Sequence, residues 1–185
     1  MSVDAASLMI VHYPAAILRR KAVPVPQVTA EVRAVAGRMI ELMFEADGIG
    51  LAAPQVGLPW RLFVVHVPEE QAEGRLASTD PAGATAAPTV YVNPVLSAFD
   101  GVPEPMSEGC LSLPDIRGDV LRPPGVTIRA TDLEGKPFEQ RGSGLLARCW
   151  QHEMDHLDGV LIIDKMLQRD RLKNRTAIRD LERGS

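Results

Sequence analysis

The sequence predicts an α+β fold in which mainly antiparallel β-sheets surround a central helix that carries a His-Glu-x-x-His motif, with a further helix towards each terminus. Three observations support this fold class. Long segments repeat apolar residues at helical spacing, short apolar runs between them predict strands, and these strands do not alternate with helices as βαβ units would. A chain of 185 residues is expected to form a single domain over 1–185.

The N-terminal helix is predicted over 30–46. Thr29 is a residue type that caps helix N-termini, and apolar side chains then recur every three or four residues: Val32, Val35, Ala36, Met39, Ile40, Met43 and Phe44. The chain before it is expected to be irregular. After it, 48–57 is expected to be a loop and 61–67 a strand.

The middle of the chain is predicted to be mainly strands and loops. Residues 68–89 are rich in Ala, Pro, Gly, Thr and acidic residues without periodicity, which predicts an exposed, mobile loop. Two short strands are predicted at 90–92 and 95–99. Asp132 to Gly135 is typical of a hairpin turn between two further strands, 126–130 and 137–140.

The central helix is predicted to begin at Ser143 or Gly144 and to end at a Gly159 cap. Its inner positions are Leu145, Leu146, Cys149, Trp150, His156 and Leu157. A strand at 160–163 and a basic C-terminal helix over 165–185 complete the prediction.

Charge and composition exclude several classes of protein. The net charge of −4 argues against a generic nucleic-acid-binding surface, DNA included, and no apolar run is long enough to cross a membrane. No signal peptide is evident, and two cysteines do not make a disulfide scaffold, so a cytoplasmic location is expected. The charge is uneven, however, because 165–185 holds seven basic residues against three acidic ones. This segment is interpreted either as a solvated helix face or as a docking surface for RNA.

His152, Glu153 and His156 form the His-Glu-x-x-His motif. A spacing of four residues places both imidazoles on one helix face, where they can bind one metal ion, and the Glu between them can move a proton. The alternative is that both histidines are surface residues of an amphipathic helix.

A third ligand has to come from elsewhere in the chain. The long metalloprotease pattern would have His where this chain has Ile162, and the only Glu after the motif is the distant Glu182. Cys110 is the best remaining candidate, and a Cys/His/His set with an open fourth position is typical of catalytic sites. Cys110 could instead be a small buried apolar residue. Cys149 is interpreted as pocket wall or core.

The segment 48–55 matches the dinucleotide pattern G-x-G-x-x-A, but we reject that interpretation. The pattern should follow a strand and open a helix, whereas here it follows a predicted helix and Pro54 interrupts any new one. What remains is a tight loop that presents backbone N–H groups and Gln55, which can stabilise a developing oxyanion. The alternative is a purely structural turn.

Three segments together resemble the motifs of the peptide deformylases, which are G-x-G-x-A-A-x-Q, E-G-C-x-S and Q-H-E-x-D-H in that order. The chain has GIGLAAPQ at 48–55, EGCLS at 108–112 and QHEMDH at 151–156. The likeness covers nearly the whole chain except 68–89 and the extreme C-terminus.

The resemblance implies a metal-dependent hydrolase that removes the N-terminal formyl group from N-formylmethionyl nascent polypeptides, by attack of metal-bound hydroxide on the formyl carbon. One divalent metal ion would be bound by Cys110, His152 and His156. The ion is commonly Fe²⁺ in this family, with Zn²⁺, Ni²⁺ or Co²⁺ as substitutes. The resemblance also makes ribosome docking through 165–185 plausible.

The resemblance assigns roles to the residues around the metal as well. Glu153 would act as base and then as acid, while Gln55 and the Leu111 backbone N–H would hold the oxyanion. Gly50 and Arg117 would contact the peptide backbone. Ile49 and Cys149 would line the methionine pocket. Whether Arg148 or Trp150 narrows that pocket stays open.

Two alternatives are kept. A metallopeptidase would use the same His-Glu-x-x-His motif, although the third His at position 162 is missing. A structural metal domain would need four protein ligands, and the sequence offers three convincing ones.

Overall fold

The computed structural model describes residues 3–72 and 75–184 and has the predicted α+β fold. The described residues form five α-helices: α1 Ala30–Glu45, α2 Gly144–Leu157, α3 Ile162–Lys165, α4 Gln168–Lys173 and α5 Arg175–Arg183. They also form seven strands: β1 Gly50–Ala52, β2 Leu62–Val65, β3 Thr89–Asp100, β4 Glu104–Cys110, β5 Leu113–Arg122, β6 Gly125–Thr131 and β7 Pro137–Ser143. No helix among these residues is both long and apolar enough to cross a membrane.

Five of the strands make one antiparallel sheet in the order β1-β2-β3-β6-β7. The short strand β1 therefore lies at an edge of this sheet, where Gly50 pairs with Val65 of β2. Strands β4 and β5 form a separate antiparallel hairpin.

Helices α1 and α2 cover opposite faces of the five-stranded sheet. Successive side chains of a strand point to opposite faces, so Leu62 and Val64 of β2 pack with the apolar residues of α1, while Phe63 and Val65 pack with those of α2. All four β2 side chains are fully buried. Burial on both faces explains why this strand is a continuous apolar run rather than an alternating one.

The two long helices begin close to where the sequence predicts. The Thr29 hydroxyl caps α1 by accepting a hydrogen bond of 3.3 Å from the Val32 N–H. Helix α2 begins at Gly144 and is followed by Gly159, whose φ of 75° lies in the left-handed region that suits the residue after a helix end. Trp150 fills the space beside Gly142, where an added Cβ would lie 2.3 Å from the indole.

The strand predictions around the hairpin need correction. Residues 90–92 and 95–99 belong to one strand, β3, which contains two register shifts in its pairing with β6. Strands β4 and β5 were not predicted at all, because residues 104–107 of β4 are exposed and show no apolar alternation. The predicted strand at 160–163 is wrong, since helix α3 begins at Ile162.

The C-terminal segment is not the single helix that was predicted. It is interrupted after Lys165 and again at Asn174, giving α3, α4 and α5. The Leu167 N–H donates to the Asp119 carbonyl, and the Asn174 side chain donates to the Arg117 carbonyl, both in 2.8 Å hydrogen bonds. The first break is a change of backbone conformation, because Met166 is extended with a ψ of 151°, whereas hydrogen bonds of helical spacing continue across Asn174.

The segment 68–89 differs from its prediction in its second half, where the expectation of an exposed loop is wrong. Ala82, Ala84 and Thr85 are buried, and the backbone of Ala82 is hydrogen-bonded to β7 through Arg141 and Ser143. A short 3-10 turn, Glu69–Gln71, begins the segment. Residues 73 and 74 lie outside the described residues, and the mobility of the segment stays a prediction.

Candidate active site

A pocket of about 610 Å³ opens between β1, the β4–β5 hairpin and α2. It is lined by nine of the residues that the sequence singled out: Ile49, Gly50, Gln55, Cys110, Leu111, Arg117, Cys149, His152 and Glu153. The tenth, His156, lies beneath them on the buried side of α2, with its Nε2 3.2 Å from Cys110 Sγ. The structure thus brings together three segments that are far apart in sequence.

The pocket holds one group of side chains suited to a metal ion. Cys110 ends β4, and His152 and His156 lie one turn apart on α2, so that one donor atom from each falls within 4.8 Å of the others. One thiol and two imidazoles suit borderline-soft divalent ions such as Zn²⁺, Fe²⁺, Co²⁺ or Ni²⁺ rather than Mg²⁺ or Ca²⁺. Three protein ligands would leave a coordination position for water or substrate.

Burial tunes His156 for this role. Its side chain is 1% exposed, and burial together with the neighbouring His152 holds its pKa well below the usual value. A neutral imidazole is the form that binds metal. Its Nδ1 has no hydrogen-bond partner among residues 3–72 and 75–184. Its Nε2 is therefore the ring nitrogen that contacts another side chain there, the thiol of Cys110.

Glu153 is a buried carboxyl group at the pocket floor. It is 3% exposed, and its Oε2 has no hydrogen-bond partner in the part of the chain that the structure describes. Burial raises the pKa of Glu153 to about 7. A carboxyl group with a pKa near neutrality can both accept and return a proton.

Gln55 is fixed by hydrogen bonds at both ends of its amide. Its Oε1 accepts from the Ala52 N–H at 2.9 Å, and its Nε2 donates to Ser112 Oγ at 3.2 Å and lies 3.6 Å from Cys110 Sγ. The bond to Ala52 orients the amide so that the NH₂ group faces the metal-binding group. Within 48–57, which was predicted to be a loop, Gly50–Ala52 forms the edge strand β1 and Ala53–Val56 forms a 3-10 turn.

Glycines in two motifs allow the backbone to approach neighbouring side chains closely. A Cβ at Gly50 would lie 2.3 Å from Glu153 Oε1 and 2.8 Å from Cys149 Sγ. A Cβ at Gly109 would lie 2.8 Å from Arg117 Nη1. Both glycines therefore allow backbone to form part of the pocket wall.

The sequence analysis gave no role to Glu108, which supports His152. Its Oε2 lies 3.0 Å from His152 Nδ1, and its carboxylate accepts from Arg122 at 2.7 and 2.8 Å and from Arg148 at 2.8 Å. Burial alone would raise the pKa of Glu108, but hydrogen bonds from Arg122 and His152 outweigh it and hold the pKa far below its usual range. Because a carboxylate only accepts, His152 carries its proton on Nδ1, which leaves Nε2 as the ligand atom.

Arg122 extends this network to the end of α2. Its Nη1 donates to Asp155 Oδ2 at 2.8 Å, and Lys165 donates to Asp155 Oδ1 at 2.7 Å. The position of Glu108 inside EGCLS was the only sequence signal for these contacts. Its partners Arg122 and Arg148 lie in segments with no motif of their own.

The chain matches the family model of polypeptide deformylase over residues 7–172. It is 40% identical to the peptide deformylase of Chromohalobacter salexigens over 169 residues, which cover 90% of this chain and 91% of that protein. It is 43% identical to the peptide deformylase of Afipia carboxidovorans over 166 residues, covering 88% and 90% of the two chains.

Solved structures give the same result. The peptide deformylase of Plasmodium falciparum superimposes with a TM-score of 0.82 at 35% identity, covering 95% of this chain and 96% of that one. The enzyme of Synechococcus elongatus, crystallised in complex with actinonin, gives a TM-score of 0.80 at 35% identity and covers 98% and 90%.

Metal content tests the ligand set directly. We expect Cys110→Ser and His156→Ala each to abolish stoichiometric metal binding, because each removes one of three protein donor atoms. Elemental analysis of the purified proteins measures this. Cys149→Ser is the matched control and should bind as much metal as the wild type. Full metal occupancy in Cys110→Ser would show that the third ligand is another residue.

Proposed function

The chain belongs to the polypeptide deformylase family and is an enzyme that removes the formyl group from nascent peptides, and we propose that Cys110, His152 and His156 hold the divalent metal ion used by this family. The observation that carries the proposal is the convergence of their donor atoms within 4.8 Å at the floor of the pocket. We propose Fe²⁺ as the native ion, with Zn²⁺, Ni²⁺ and Co²⁺ as substitutes.

The side chains around the ligands can perform the hydrolysis of an N-formyl amide. A divalent ion held by these residues would lower the pKa of a water molecule bound to it. Glu153 accepts the proton that the attacking water loses and transfers it to the departing amine nitrogen, leaving formate and a free N-terminus. The Gln55 NH₂ group and the Leu111 N–H donate to the formyl oxygen as negative charge develops on it.

The rest of the substrate would be bound by backbone and apolar side chains. Gly50 lies on the edge strand β1 and lines the pocket, so an extended peptide can hydrogen-bond to it as an added strand. Arg117 lines the opposite side, against Gly109. Ile49 and Cys149 give the pocket an apolar wall suited to a methionine side chain.

We also propose a cytoplasmic location and contact with the ribosome through the C-terminal segment. Ala177, Ile178 and Leu181 of α5 pack against the core beneath β5, so the segment is attached by its apolar side. The seven basic residues of 165–185 are all exposed: Lys165, Arg169, Arg171, Lys173, Arg175, Arg179 and Arg183. An outward-facing basic surface is suited to bind RNA phosphates.

Because Glu153 is proposed to move a proton and not to bind the metal, its substitution should reduce turnover without loss of the metal ion. Glu153→Gln should retain its metal and lose roughly 10²-fold or more in kcat, which is the scale of a positioned acid/base. Steady-state kinetics with metal analysis on the same samples provide the measurement. Asp158→Asn, an acid-to-amide change at the exposed end of α2, is the control. Near-normal turnover in metal-bound Glu153→Gln would contradict the assigned role.

The substrate prediction concerns the acyl group. Formyl-Met-Ala-Ser should be converted to Met-Ala-Ser much faster than acetyl-Met-Ala-Ser is, because Gln55, Cys110 and Leu111 crowd the position that an acetyl methyl group would occupy. Mass spectrometry of the products distinguishes the possible reactions. Cleavage between Met and Ala instead of formyl loss would support the metallopeptidase alternative.

The ribosome proposal is best tested by changing charge. Deletion of the segment would also remove the packed side chains of Ile178 and Leu181, so we choose Arg171, Lys173, Arg175 and Arg179 for replacement by Ser. Co-sedimentation with ribosomes should weaken, and the wild-type binding should fall steeply with salt. Four basic residues away from the segment form the matched control set: Arg20, Lys21, Arg129 and Lys136. Equal binding by both quadruple variants would exclude the C-terminal segment as the anchor.

A further inference from the structure

Arg148 belongs both to the wall of the substrate pocket and to the support of a metal ligand. It lies on α2 one turn before His152 and lines the pocket together with Cys149 and Leu145. It is nevertheless only 6% exposed. A buried arginine requires partners that anchor its charge.

The guanidinium is anchored on three sides. Its Nη1 donates to Glu108 Oε1 and to the Val120 carbonyl, and its Nη2 donates to the Glu104 carbonyl, each at 2.8 Å. These bonds join α2 to both strands of the β4–β5 hairpin. A planar guanidinium group held by several hydrogen bonds cannot rotate away when a ligand enters. The part of the pocket wall that Arg148 forms is therefore rigid.

Trp150, the other neighbour of Cys149, faces away from this pocket. Its ring packs on the face of the five-stranded sheet that α2 covers, 5.8 Å from the Tyr91 ring and against Gly142. Of the two residues that flank Cys149, only Arg148 is therefore in a position to limit the space available to a substrate side chain.

The carboxylate that binds Arg148 also binds His152. Glu108 accepts from Arg148 through Oε1 and contacts His152 Nδ1 through Oε2. Arg122 binds both oxygens of Glu108, so loss of Arg148 would leave the carboxylate held from β5 and remove its arginine bond to α2, the helix that carries His152. The orientation of the His152 ring would then be less well defined, because the partner of a ligand histidine fixes that orientation.

We propose that Arg148 is the residue that sets the size limit for the first substrate side chain, and that through Glu108 it is also a positioning residue for His152. The first part rests on the proposed function, and the second part needs only the metal site. One substitution at position 148 should therefore alter both the size of side chain that the pocket accepts and the retention of the metal ion. Substitutions elsewhere should alter only one of these properties.

Three variants separate these properties. Leu145→Ala changes the same pocket wall without contact to Glu108. Arg122→Lys weakens the support of Glu108 from outside the pocket. Arg148→Met removes the anchored head group and changes both. Each protein is loaded with Ni²⁺, and its thermal unfolding is recorded to verify a cooperative fold.

Two measurements are made on each protein. The first is the ratio of kcat/KM for formyl-Phe-Ala-Ser to that for formyl-Met-Ala-Ser. The second is the rate at which Ni²⁺ is lost to excess chelator. Arg148→Met should raise the ratio roughly tenfold, the scale of a changed apolar pocket, and should speed Ni²⁺ loss by about 10-fold or more. Leu145→Ala should change only the ratio, and Arg122→Lys only the rate of Ni²⁺ loss.

Arg148→Lys provides a second, milder variant. It retains most of the stem, but its single nitrogen cannot occupy both Nη positions that bind Glu108 and the two carbonyls, so it should speed Ni²⁺ loss while changing the ratio less than Met does. An unchanged ratio in both position-148 variants would overturn the size limit, and unchanged Ni²⁺ loss in both would overturn the positioning role. Failure of the wild type to release formate would instead overturn the proposed function, and the Ni²⁺ measurement would still be valid.

Discussion

The buried carboxylate of Glu108 is the contact on which the geometry of the site depends. It lies where β4, β5 and α2 meet and accepts hydrogen bonds from a residue of each neighbour, Arg122 on β5 and Arg148 on α2. Ion pairs of this kind contribute little net stability, because desolvation offsets their attraction, but removal of one partner costs about 3–5 kcal/mol. Here these ion pairs hold β4 in position relative to α2. This matters for the metal site because Cys110 follows Glu108 by two residues on β4, while both histidines belong to α2.

The sequence revealed the ligands more readily than the scaffold that orients them. The His-Glu-x-x-His spacing predicts that both imidazoles share a helix face whatever surrounds that helix, and α2 has both histidines as neighbours with ring centroids 5.0 Å apart. The support of His152 could not be predicted in this way. Glu108 and Arg148 are 40 residues apart, and no local pattern specifies which charged residues will meet across a buried interface.

Errors in secondary structure have the same origin. The predicted boundaries of α1 were nearly correct because its apolar face and its Thr29 cap are local features. Strand β4 was missed because the side chains of its outer half are exposed, so it carries no apolar alternation. The C-terminal helix was overextended because Met166, which forms a β-bridge with Val120 of β5, has an extended backbone that no local pattern indicates. In the C-terminal segment tertiary contacts override a local signal, whereas in β4 the local signal is absent.

The position of β1 at the edge of its sheet has a consequence for when the enzyme can act. An edge strand can add only a partner whose own backbone hydrogen-bonding groups are still unused. A chain end that has already joined a helix or sheet has none to offer beside Gly50. With the binding beside Gly50 proposed above, deformylation would compete in time with folding of the substrate, and a polypeptide whose N-terminus has just been made would be the best substrate.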